Sequence, residues 1–68
     1  MILTVAEQPV VRRAVAAYNA MKKKGHEGQF TGTTADQVLE ELNPSPERWT
    51  ELAAFVIETA EGATRRNR

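Results

Sequence analysis

His26 and Ser45 are the only histidine and the only serine in a chain without cysteine, so few residues here could do nucleophilic or metal-assisted chemistry. A catalytic or metal-bound His26 needs a second base, acid or ligand close by, and only Glu27 adjoins it. It is expected in a polar loop or at a helix end. Ser45 has no neighbouring base, and the following Pro46 makes it a natural N-cap, which accounts for a serine there. The acidic pairs Asp36 with Glu40 and Glu58 with Glu61 have helical spacing and would suit shared-carboxylate chemistry. No aspartate-rich calcium loop surrounds them, and Asp36 already suits the positive end of a helix, so both pairs are expected on solvated faces. The run Lys22-Lys23-Lys24-Gly25-His26 looks like a phosphate cradle but falls at a helix C-terminus, where the backbone dipole attracts cations and opposes an anion. Gly28 and Gly32 have the spacing of a membrane helix-dimer motif in a polar setting, and Asn43-Pro44-Ser45 has proline in the position that prevents glycosylation. No enzyme, metal site or cofactor is expected.

The elements that must position these residues are helices. Between Pro9 and Lys24, Val11, Ala14, Val15, Tyr18 and Met21 keep helical spacing, with Arg12, Arg13, Asn19 and Lys23 off the stripe. Thr4 and Glu7 have capping-box spacing, which would start a turn earlier and place Pro9 inside it as a break or kink. Gly25 marks the stop, and Phe30 is expected to turn inward from a glycine-rich loop. Thr34 and Gln37 form the next capping pair, before a short helix over about 35–42. Asn43-Pro44-Ser45-Pro46 then ends one helix and begins another within four residues, because a residue before proline avoids the right-handed α region and proline suits a first helical position. The third helix runs over about 46–62, with a basic tail at 63–68 expected to fray. Trp49, Leu52, Ala53, Val56 and Ala60 form its stripe, and Phe55 to Ile57 widens the apolar arc to roughly 200°. That arc means either a central helix, touched by both others and by Ile2, Leu3 and Val5, or a strip shown to another chain. The expected fold is all-α: one small three-helix bundle.

At 68 residues the chain is near the lower limit for a self-sufficient apolar core, and it has no disulfide to help. The first residues are too few and too soon acidic for a secretory signal, and no apolar run could cross a bilayer, so a cytoplasmic protein without a membrane partner is expected. The nine basic and nine acidic residues cancel but are segregated. Residues 1–30 hold five basic and two acidic, residues 31–63 hold one and seven, and residues 64–68 hold three basic and none acidic.

Leu3-Thr4, Glu7-Gln8, Val11, Thr34-Ala35-Asp36 and Ser45-Pro46, in this helical order, resemble the tri-helical core of helix-turn-helix proteins, in particular the winged DNA-binding domain of the SOS repressors. The resemblance implies that the last two helices are arranged like a helix-turn-helix, with no wing since no hairpin follows Gly62, and that the third is a recognition helix, with Pro46, Glu47, Arg48, Thr50 and Glu51 approaching base edges. The acidic charge of residues 31–63 opposes that approach, so DNA would have to meet Arg12, Arg13, Lys22, Lys23, Lys24, Arg65 and Arg66 instead.

Two functions from different classes follow. The first is a non-enzymatic regulator or inhibitor that masks a partner protein, at a size common among accessory proteins of phages and mobile elements. It would use the strip Arg48, Leu52, Phe55 and Thr59 with Glu51 at its edge, or pair with a second copy through the third helix. Phe55 is the expected anchor, unless Ile2 and Leu3 cover it within the chain. The second is a DNA-binding transcriptional regulator.

Overall fold

Thr4 and Glu7 begin the first helix by capping one another. In the computed structural model, which describes residues 2–25 and 30–66, with side chains as far as Gly62, the Thr4 N–H donates to Glu7 Oε1 at 2.9 Å. The Glu7 N–H donates back to Thr4 Oγ1 at 3.2 Å. This reciprocal capping box satisfies amides that the first turn would otherwise orphan. Helix α1 spans Glu7–Lys23, two residues earlier than its apolar spacing suggests, and runs uninterrupted through Pro9. Proline is tolerated because the carbonyl four residues back belongs to exposed Val5, in a turn open to water. Gly25 closes the helix at φ +85°, its N–H bonded to the Lys22 carbonyl.

Helix α2 spans Thr34–Glu40, and its cap is Thr33 rather than Thr34. Either threonine could cap, but Thr33 has Asp36 three residues on. Thr33 Oγ1 accepts from the Asp36 N–H at 3.3 Å, while Asp36 Oδ2 reaches back to the Gly32 N–H at 2.8 Å. Gly32, at φ +80°, makes that turn possible. The helix also stops two residues sooner than expected. Its end tightens through bonds from the Glu41, Leu42 and Asn43 amides to the carbonyls three residues before them. Asn43 then escapes the right-handed region by adopting φ +51°, which asparagine tolerates better than most side chains.

Helix α3 spans Pro46–Arg66 and starts as the sequence suggests, with Ser45 Oγ accepting from the Arg48 N–H at 3.2 Å. It does not stop at Gly62, whose φ stays negative, and the backbone remains helical through residues expected to fray. Glycine costs a helix about 1 kcal/mol relative to alanine but does not by itself end one. Twenty-one residues at 1.5 Å each make α3 about 31 Å long, which sets the 33 Å long axis of the molecule. His26 and the loop expected around Gly28 lie outside the described residues.

The fold is a small all-α three-helix bundle without strands among the described residues. Val11, Ala14 and Tyr18 from α1 meet Ala35 and Leu39 from α2 and Leu52, Ala53, Val56 and Ala60 from α3, all buried. The hub is α1, which packs extensively on both other helices, while α2 and α3 touch less. Phe30 closes one end of the core as expected. Its ring lies 6.1 Å from Tyr18 and 5.7 Å from Trp49, edge-on to the indole.

Candidate protein-binding site

Arg48 is where α3, α1 and the N-terminal segment meet. Its Nε donates to Glu7 Oε2 at 2.8 Å and its Nη2 to Glu7 Oε1 at 2.6 Å, a forked pair on one carboxylate. Nη2 also reaches the Ile2 carbonyl at 3.1 Å, and Nη1 holds Glu51 Oε1 at 2.9 Å. A planar guanidinium suits this work, since its donors point in fixed directions. Hydrogen bonds from Arg48 are the main reason that the Glu7 carboxyl is lowered from 4.5 to about 2, with the Thr4 amide adding to them and burial opposing. The two carboxylates in turn raise the affinity of Arg48 for its proton. Glu7 is the one charged residue buried among those described.

This arrangement reassigns most of the strip expected on the third helix. Leu52 is fully buried and belongs to the core, one helical turn before the equally buried Val56. Arg48 is occupied within the chain, and Glu51 is exposed but bonded to it. Phe55 is half-buried and packs against the core, as Leu3 and Ile57 do, so the wide apolar arc is largely used internally. Thr59 is exposed. Ile2 does not cover Phe55, being 90% exposed, and Val5 is 84% exposed. Trp49, expected in the core, is half-buried against it, with its Nε1 donating to Asp36 Oδ1 at 2.8 Å.

Sequence reasoning missed Ile2 and Val5 as surface residues, treating them as cover for α3. The available signal was the Thr4–Glu7 capping box. It places Val5 at the first position of a turn in which Glu7 is the buried residue, while Leu3, before the cap, packs against the core. The result is two large apolar side chains standing outward on a backbone fixed at both sides, by the Arg48 bond to Ile2 and by the cap at Thr4.

No family model matches the chain, and no curated protein or solved structure is significantly similar to it. Among the described residues no three metal-ligating side chains cluster, and no helix is long and apolar enough to cross a membrane. On α3 the residues that would approach base edges include exposed Glu47, Thr50 and Glu51, while Arg48 is turned to Glu7. Of the basic set, Arg13 is bonded to Glu41 at 2.6 Å, Arg12, Lys23 and Lys24 are exposed, and the side chains of Arg65 and Arg66 lie outside the described region. Lys22 is half-buried and has a partner of its own.

Asp36 carries a separate structural load, since one carboxylate accepts from Gly32 in the loop and from Trp49 on α3. Asp36→Ala leaves both donors without their acceptor and is expected to cost about 2 kcal/mol, measured by urea unfolding followed by circular dichroism.

Proposed function

We propose that this chain is a small non-enzymatic regulator or inhibitor that acts by binding another protein, with Ile2 and Val5 at the centre of its docking surface and half-buried Phe55 and exposed Thr59 of α3 as further candidate contacts. The observation that carries this reading is the outward placement of two large apolar side chains on a backbone held in place by Arg48 and by the capping box. Scattered exposed apolar residues are ordinary, but these two are three residues apart on one pre-organised segment. A surface ordered before contact loses less conformational entropy on binding.

Their exposure also makes the test clean. Ile2→Asp and Val5→Asp remove no buried contact, so the double variant is expected to keep the thermal midpoint of the parent. Capture from nuclease-treated host lysate should recover a protein with the parent chain and not with the variant. Identical capture by both chains would exclude this surface. Recovery of nucleic acid alone by untreated lysate, weakening steeply with salt, would favour DNA binding through the basic residues.

A further inference from the structure

The outward side of α3 beside this docking surface is acidic. Successive residues of a helix turn by about 100°, which puts Glu47, Glu51, Ala54 and Glu58 in one row on the side opposite the buried Val56. All four are exposed. Glu51 is bonded to Arg48, whereas Glu47 and Glu58 make no ion pair among the described residues. The row adjoins the apolar pair because one guanidinium touches both Glu51 and the Ile2 carbonyl. Arg48 itself offers a partner little positive charge, being flanked by the carboxylates of Glu7 and Glu51. Ala54, in the middle of the row, leaves room for an approaching backbone.

From this charge complementarity we infer that the occupant is a basic amphipathic helix of a partner protein, its apolar side seated on Ile2 and Val5 and its lysines or arginines along Glu47, Glu51 and Glu58. The inference rests on the proposed docking function and adds the chemistry of the partner. Apolar anchors supply most of the affinity when an amphipathic helix docks, and charge sets register and rejects acidic competitors.

The test uses synthetic helices of about 18 residues, or five turns, that share one leucine stripe and differ only in a polar face of lysine, glutamine or glutamate. Each is titrated into the full-length, isotope-labelled protein, and amide shifts are followed by NMR. The lysine helix is expected to bind about tenfold tighter than the glutamine helix at low salt, shifting amides of 2–5 and 47–58. The difference should vanish near 1 M salt, where charges are screened beyond about 3 Å. Replacing Glu47→Gln and Glu58→Gln together should weaken the preference severalfold, leaving only Glu51 of the row, while the helical circular dichroism spectrum is retained. Equal binding of the lysine and glutamine helices at 2–5 would overturn the basic partner and leave the docking surface standing. Preference for glutamate, or shifts confined to α1, would also overturn it. Shifts at 2–5 and 47–58 on concentrating the protein alone would make the occupant a second copy instead. No shift with any helix would overturn the helical occupant, while the docking surface itself stands or falls by the capture experiment.

Discussion

Phe30→Ala is expected to abolish the cooperative thermal transition of this protein. The ring is 7% exposed and is the only large side chain that the loop between α1 and α2 contributes to the core among the described residues. It lies against Tyr18 of α1 and edge-on to Trp49 of α3, so its loss opens a cavity where two helices and the loop converge. Truncating a buried phenylalanine to alanine costs about 3 to 5 kcal/mol. A domain of this length is stable by only about 3 to 10 kcal/mol, at 0.05 to 0.15 kcal/mol per residue. The variant should therefore be largely unfolded, or melt with a broad transition far below the parent. Phe30→Leu keeps most of the volume and loses mainly the ring contacts, so it should retain a cooperative melt at a lower midpoint. Circular dichroism at 222 nm against temperature reads both. An alanine variant that melted like the parent would mean that the ring does not close the core.

The second large effect is on pH dependence. In the folded chain the Glu7 carboxyl lies at about 2, below its ordinary 4.5, chiefly because Arg48 bonds its charged form. A carboxyl depressed on folding stabilises the native state above its unfolded pKa, and that contribution is lost as pH falls from about 4.5 toward 2. The parent should therefore lose thermal stability steeply across this window. Arg48→Gln removes the cation and leaves a buried carboxylate without its partner, which raises the Glu7 pKa and makes its protonation favourable in the folded state. The variant should be clearly less stable than the parent at neutral pH, and the gap should close as pH falls. Arg48→Lys should recover only part of the difference, because an ammonium cannot bond both Glu7 oxygens, Glu51 and the Ile2 carbonyl in the same geometry. Side-chain NMR titration of Glu7 and thermal midpoints across pH 2–7 measure the two sides of this linkage. A Glu7 pKa unmoved by Arg48→Gln would contradict the assignment of its cause.

The three helices could be read from the sequence because local rules and apolar spacing agreed over most of the chain. Ser45-Pro46 marked the start of α3 to the residue, as a cap and a first-turn proline do. The cap of α2 was misplaced by one position because Thr33 and Thr34 are equivalent by type. Asp36 separates them, three residues after Thr33 and reaching back to Gly32, and its second bond, to Trp49 13 residues away, has no local signal. Gly62 misled in the opposite direction, since glycine weakens a helix locally and neighbouring turns can carry the helix past it. At the candidate site, Arg48 was singled out for exposure that it does not have. Its partner Glu7 is 41 residues earlier and had a complete local explanation in the capping box. Glu7 does both jobs, one through its Oε1 to Thr4 and one through both oxygens to Arg48, and spacing alone signals only the first. Ile2 and Val5 were read as cover because small domains often recruit their termini, whereas here only Leu3 turns inward.

The junction of Asp36, Phe30 and Trp49 also gives the molecule an optical reporter. Trp49 is the only tryptophan, and its indole is bonded to α2, stacked edge-on to the loop and carried by α3. Tyr18, the only tyrosine, has its ring centroid 6.1 Å from that of the same phenyl ring. Emission excited at the indole should redden when α2 and α3 part. Energy transfer from the tyrosine should fall when α1 separates from that junction, so two wavelengths in one unlabelled sample can show whether the three helices come apart together or in turn.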